Sequence, residues 1–196
     1  MIPAHEALAR LKEGNRRFVA NGAGPAGRPS AEQQPVAIVL GCSDSRVPAE
    51  LIFGQGFGDL FVIRVAGNIV APSQVGSVEF AAERFGTRLA VVLGHTQCGA
   101  VAATLAQVRR PAANQSPNLR AIVDRIRPAV EALLKTHVAQ NPAELAAAAT
   151  HANIRASVQQ LRHGSALLEQ RIQRDGLLIV GAEYSVETGK VEFFLD

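Results

Sequence analysis

Tryptophan is absent from this chain of 196 residues, tyrosine occurs once, at Tyr184, and the aromatic residues together make up only 5% of it. A surface that reads nucleic acid by stacking bases on rings interleaved with basic side chains has no raw material here. Charge of one sign is scarce too. The net charge is +3, and the 20 lysines and arginines are scattered, with short clusters only at Arg16-Arg17, Arg109-Arg110 and Arg125-Ile126-Arg127. Such clusters describe solvated helix faces and leave nucleic acid out of the expected partners. Long apolar runs are also missing: nothing approaches the roughly 18 residues of a membrane span. The opening "MIPAHEALARLKEGNRRF" has neither an apolar h-region nor a small-residue cleavage site. The expectation is a cytoplasmic protein with no membrane partner. Cysteine is as sparse. Cys42 and Cys98, 56 residues apart, make no disulfide framework for a chain this long, so each needs another explanation.

What is present is a core. With 47% hydrophobic and 19% charged residues, the chain has the composition of an ordinary globular domain. Four short runs rich in β-branched residues, Val36–Leu40, Leu60–Val65, Leu89–Leu93 and Leu177–Val180, read as buried strands. A fifth, Val191–Leu195, follows the turn-like Glu187-Thr188-Gly189-Lys190 and reads as an antiparallel edge strand. Helical patterns fill the intervals: Ser73–Phe85, Gly99–Arg109, Asn118–Gln140 with Pro128 kinking or dividing it, Asn141 and Pro142 as N-cap and first residue of a helix towards His163, and Ser165 to Arg174 stopped by Gly176. Strands alternating with helices predict an α/β fold. The expectation is a single domain over residues 1–196, with four parallel strands and an antiparallel edge strand flanked by helices. Residues 1–30 read as an arm: an amphipathic helix with Pro3 in its first turn and Leu8, Leu11 and Phe18 on one side, then a Gly/Pro-rich loop from Asn21 to Ser30. This helix is expected to pack on a partner subunit.

The chemistry gathers at the ends of two strands. "CSDSR", Cys42 to Arg46, lies just past the first; "GHTQCGA", Gly94 to Ala100, lies just past the third, with Cys98 opening a helix. Ligands in such sheets collect beyond the carboxyl ends of the strands. Two thiolates and an imidazole suit Zn²⁺, and the helix N-terminus favours the thiolate form of Cys98. Three protein ligands leave a fourth position for water, as in catalytic zinc sites, whereas Asp44 has the reach to take that position itself. Arg46 can pair with Asp44 and hold it off the metal. Taken alone, each cysteine is an inert buried thiol and His95 a satisfied core histidine; it is their convergence that points to a metal. His5, His137, His151 and His163 have no cysteine company and are expected at the surface. "GQGFGD", Gly54 to Asp59, precedes a strand instead of following one and is read as a turn, not a phosphate loop.

"CSDSR" followed about fifty residues later by "HTQCG" resembles the β class of carbonic anhydrase, as do "VPAELIFGQGFGDLFVIRVAGN" and "LLIVGAEYSVETGKVEFFL". The resemblance implies zinc held by Cys42, His95 and Cys98, a catalytic dyad of Asp44 and Arg46, and hydration of CO₂ to bicarbonate by zinc-activated hydroxide. It also implies that Asp44 closes the site in some members by binding the metal, and that the protein is a homodimer or dimer of dimers. Gln55 resembles a glutamine that contacts substrate from the neighbouring subunit, Phe80 an aromatic lining the same apolar pocket, and the Gly99 N–H is placed to meet a bound anion. One branch of the family carries an inhibitory bicarbonate pocket built on Trp, Arg and Tyr. Arg64 and Tyr184 are present, but Val39 stands in the place of the Trp, so that regulation is not expected. The alternatives kept open are a hydrolase of carbon disulfide or carbonyl sulfide, a structural zinc site with Asp44 as permanent fourth ligand, and a metal-free Cys–His nucleophile.

Overall fold

Short β-branched runs that are buried on both faces become the interior strands of a parallel sheet. The strands are β1 (Ala37–Gly41), β2 (Leu60–Arg64), β3 (Leu89–His95), β4 (Leu178–Tyr184) and β5 (Val191–Phe194). They form one sheet in the order β2-β1-β3-β4-β5, with β5 antiparallel to β4 and the other pairs parallel. The computed structural model describes residues 2, 4–20, 32–111 and 116–194. Pro3, the loop from Asn21 to Ser30, Leu195 and the side chain of His5 lie outside the described residues.

Two strands run further than the sequence pattern suggests. β3 continues through Gly94 to His95 and β4 through Gly181 to Tyr184, with Gly94 opposite Glu183 and His95 opposite Tyr184. A glycine in an apolar run reads as a stop, yet here both glycines make room for a helix. Ile154, fully buried, lies where a Cβ on Gly94 would come within 2.5 Å of its Cδ1 and Cγ1, and one on Gly181 within 2.7 Å of its Cγ2. Gly94→Ala is therefore expected to cost about 1–3 kcal/mol of stability through overpacking. In Gly94→Ala/Ile154→Ala the loss is expected to fall short of the sum of the two single losses, because the clash has been removed. Denaturant midpoints of the four proteins measure this, and strict additivity would refute the packing account.

The helices are α1 (Ala4–Ala20), α2 (Ala49–Ile52), α3 (Pro72–Arg84), α4 (Gly99–Arg109), α5 (Pro117–Glu131), α6 (Pro142–His163) and α7 (Ala166–Asp175). Proline opens α3, α5 and α6, where its missing N–H costs nothing. Asn141 caps α6 by accepting from the N–H groups of Ala143 and Glu144, and Ser165 caps α7 through Leu168. Pro128 deprives Asp124 of its helical donor. The α-helix persists only to Glu131 before tightening into 3-10 turns at Ala132–Lys135 and His137–Gln140.

α3, α6 and α7 close one face of the sheet over Ile38, Leu40, Val92 and Ile179. Val39, Val91, Leu93 and Val180 line the other, against Val47, Ala49 and Tyr184. A third cluster lies beyond the carboxyl ends of β1 and β3, where Val101 and Leu105 of α4, Ile126 and Val130 of α5 and Leu145 and Ala149 of α6 surround Cys42 and Cys98. On α1, Leu8, Leu11 and Val19 remain exposed, Leu11 to 73%, while Phe18 meets Phe57 edge to face.

Candidate metal centre

Neighbouring parallel strands in register deliver their ends to one place. Gly41 pairs with Leu93, so Cys42, one residue past β1, and His95, the last residue of β3, emerge together. Cys98 follows as the non-helical residue that opens α4, with φ −67° and ψ 117°. The ligand atoms of Cys42, His95 and Cys98 all lie within 4.8 Å of one another, and the residues are 5%, 0% and 4% exposed. Both cysteines are free.

The donor set fits a soft divalent cation. His95 Nδ1 lies 2.8 Å from the carbonyl of Thr96, which can only accept, so the ring proton belongs on Nδ1 and the lone pair on Nε2. Nε2 is fully buried and has no hydrogen-bond partner. An orphaned imidazole nitrogen facing two sulfurs is costly unless a ligand completes it. The thiol of Cys98 hydrogen-bonds to Cys42, which draws the Cys42 pKa well below the thiol range and pushes that of Cys98 up. The thiolate form is thus favoured at Cys42 and disfavoured at Cys98, and a cation between the two sulfurs would let both ionise. The Gly67 N–H donates to Cys42 Sγ at 3.3 Å and steadies the thiolate.

Asp44 stands beside this set with Oδ2 3.9 Å from His95 Nε2. It is held in a fork: Arg46 donates from Nε to Oδ1 at 3.0 Å and from Nη2 to Oδ2 at 2.9 Å, and the Arg46 backbone N–H adds a bond of 2.9 Å to Oδ1. These charge-assisted bonds keep the Asp44 carboxyl well below the usual carboxylate range. The loop itself is pinned by Arg64 of β2, which donates from Nε to the carbonyl of Cys42 at 3.0 Å and from Nη2 to that of Asp44 at 2.5 Å. Both Arg64 contacts therefore serve the loop that carries Cys42 and Asp44, and Val39 is packed in the core.

The other residues singled out in the sequence are placed elsewhere. Gly99 is exposed at the start of α4, beside the cluster. Gln55 donates its amide to the carbonyl of Phe53 at 2.8 Å and makes no hydrogen bond to the cluster. Phe80 packs against Phe61 and Phe85, with ring centroids at 6.0 and 5.8 Å. Phe61 pairs with Ile38 near the start of β1, so within one chain Phe80 lies away from the carboxyl edge that carries Cys42. His137 and His163 are exposed, and the side chain of His151 is 39% exposed but engaged. Its Nε2 lies 2.7 Å from Glu183 Oε2 and its ring 4.7 Å from that of Phe194.

Sequence reasoning gave Gln97 and Glu187 no role beyond a zinc-motif spacer and a turn, yet both connect to Arg46. No sequence signal marks them: the register of β3 and β4, seen only in the fold, sets Tyr184 beside His95 and the following turn beside Thr96. No helix among the described residues is long and apolar enough to cross a membrane.

Comparison with known proteins agrees with this geometry. The chain is 37% identical over 192 residues to the carbonic anhydrase of Mycolicibacterium smegmatis, covering 93% of this chain and 89% of that protein. It is 36% identical over 193 residues to carbonic anhydrase 2 of Mycobacterium tuberculosis, covering 92% and 87%. The crystal structure of the β-carbonic anhydrase CafA of Aspergillus fumigatus superposes with a TM-score of 0.76 at 25% identity, over 97% of this chain and 89% of that one. With the carbonic anhydrase family model also matching residues 37–191, the chain belongs to the β-carbonic anhydrases.

Proposed function

We propose that the protein is a zinc enzyme that reversibly hydrates CO₂ to bicarbonate and a proton. The observation that carries this reading is the buried triad of Cys42, His95 and Cys98, with an unpartnered imidazole nitrogen and a carboxylate held beside it by a guanidinium. Cys42, His95 and Cys98 would hold the ion. Zinc there supplies a Lewis acid that makes water nucleophilic near neutral pH.

The chain's own residues supply the remainder. Asp44, kept anionic by Arg46, is an acceptor beside the donor set and would take or orient a proton of the attacking water. Because both carboxylate oxygens are engaged by Arg46, Asp44 is drawn away from acting as fourth ligand. The Gly99 N–H, at the start of α4, would offer a donor to the bicarbonate product. Apolar walls from Val101 and Ile69 suit a small uncharged substrate.

The same reading makes the protein a homodimer or dimer of dimers, supported by the exposed Leu8, Leu11 and Val19 of α1. Gln55 and Phe80 then reach a site only across a subunit boundary. Sedimentation velocity reads this directly, and a monomer at micromolar concentration would overturn it. A reducing cytoplasm suits two thiols kept free for metal.

The deciding experiment is stopped-flow CO₂ hydration from about pH 7 to about pH 9 with metal analysis on the same sample, beside a sulfide-release assay with carbon disulfide and carbonyl sulfide. About one zinc per chain with rapid hydration is expected. Zinc-replete protein that releases sulfide but leaves CO₂ untouched would move the substrate to the sulfur analogues. Fresh protein free of zinc would defeat the metal reading.

A further inference from the structure

Arg46 holds Asp44, and it is itself held. Its Nη1 donates to Gln97 Oε1 at 3.2 Å and its Nη2 to the Gln97 carbonyl at 3.4 Å. Gln97 in turn donates from Nε2 to Glu187 Oε1 at 2.5 Å. The second oxygen of Glu187 accepts from Thr96 Oγ at 2.7 Å and from Ser185 Oγ at 3.1 Å, and the Thr96 hydroxyl oxygen accepts from the Val186 N–H at 3.1 Å. Glu187 is thus fixed from the end of β3 and the end of β4 before it reaches Gln97.

The middle link admits one orientation. Arginine only donates and a carboxylate only accepts, so the Gln97 amide must turn its oxygen to Arg46 and its nitrogen to Glu187. Gln97 also has φ +58°, a left-handed backbone that a non-glycine residue adopts at some cost and keeps only where its surroundings hold it. Both ends of its side chain are held here. The Thr96 hydroxyl keeps the Glu187 carboxyl below its usual range, so the far end of the chain of bonds is an anion.

We propose that Glu187, acting through Gln97, is a positioning residue that sets the Arg46 guanidinium and with it the direction in which Asp44 faces the metal cluster. Arg64 pins the backbone of this loop at the Cys42 and Asp44 carbonyls, whereas the exposed Arg46 guanidinium, beyond its fork with Asp44, is anchored by Gln97. The Glu187–Gln97 link ties it to the segment between His95 and Cys98, which carries two of the three candidate ligands. Arg46, Gln97 and Glu187 are all exposed in the single chain, so the link serves orientation more than stability. Its catalytic consequence rests on the hydration reading above.

The test compares Glu187→Ala, Glu187→Gln, Gln97→Asn and the double variant Glu187→Ala/Gln97→Asn in the zinc-loaded protein. Asparagine suits the left-handed backbone but is one methylene too short to span both partners. Each single variant is expected to keep its zinc and lose about tenfold in kcat with a smaller change in KM, Glu187→Gln losing least. The double variant is expected to be no worse than Gln97→Asn alone, because both changes cut one path. A second readout needs no activity. The Arg46 Nε–H resonance, assigned by its loss in Arg46→Lys, should be distinct and slow to exchange in the parent and move toward the solvent-exposed arginines in Glu187→Ala and Gln97→Asn. An Arg46 signal unchanged in both variants overturns the proposal, as do kcat losses that multiply in the double variant. If the parent fails to hydrate CO₂, the functional reading falls, and the Arg46 signal still decides the positioning role.

Discussion

Cys42→Ser is expected to lower zinc to well under one per chain and CO₂ hydration by at least about a thousandfold, since one of the three ligands is gone. The exchange is nearly isosteric, and the Gly67 N–H that reaches Sγ at 3.3 Å can still donate to a hydroxyl, so local packing is disturbed little. What changes is acidity. The thiol is drawn far below the ordinary thiol range by its hydrogen bond from Cys98, whereas an alcohol in its place stays protonated at any pH the fold survives. The cluster then offers one thiol and one imidazole in a buried pocket that no longer favours a divalent cation. Because ion binding also stabilises the fold, the variant should melt below the zinc-loaded parent but close to the parent stripped by a chelator. Thermal melts with and without chelator, beside metal analysis and the hydration assay, separate lost metal from lost structure. Full zinc occupancy with full turnover in Cys42→Ser would refute the assignment of the ligands.

The cluster was legible in the sequence because it depends on two local facts and one rule of topology. Cys42 follows one apolar run, His95 and Cys98 follow another, and in a parallel sheet both runs end at one edge. Adjacency of β1 and β3 then required only that the strand between them in sequence, β2, lie outside, as it does. The fold class and the cap at Asn141 were readable for similar reasons, each resting on residues a few positions apart. Contacts that depend on register were not. Gln97 and Glu187 are 90 residues apart, and His151 and Glu183 are 32 apart; no periodicity in the chain says which side chains of β4 and the next turn will face β3 and α6. Gly94 and Gly181 were misleading for a physical reason. Glycine normally ends a strand, but here it makes way for Ile154, which cannot be known before α6 has been laid on the sheet. The four-residue α2 is too short to show a period at all.

Asp44→Asn is expected to retain about one zinc per chain and a native fold while kcat falls by roughly a hundredfold to ten-thousandfold, the range for losing a positioned proton acceptor. The amide matches the carboxylate in shape but turns one acceptor into a donor. Arg46 offers only donors, so the fork at 2.9 and 3.0 Å cannot survive intact: one of its two bonds would set N–H against N–H. Arg46→Lys should fall between parent and Asp44→Asn, since a lysine preserves the charge but not the two parallel bonds. The pH dependence has a definite sign. The Arg46 hydrogen bonds hold the folded Asp44 pKa below its unfolded value, so the stabilisation is present above the ordinary carboxylate range and is lost only as pH falls through the depressed value in strong acid. A cation at the cluster pushes the same way. Asp44 is therefore ionised throughout the range from about pH 7 to about pH 9, and any fall in parent activity across that range belongs to another group. The contrasting arrangement, with Asp44 as permanent fourth ligand, predicts the reverse pattern in the variant: weakened zinc and a lower melting temperature, with no turnover in the parent to lose. Metal analysis and stopped-flow rates on the same preparations distinguish the two, and an Asp44→Asn protein as fast as its parent would show that this carboxylate takes no part in the reaction.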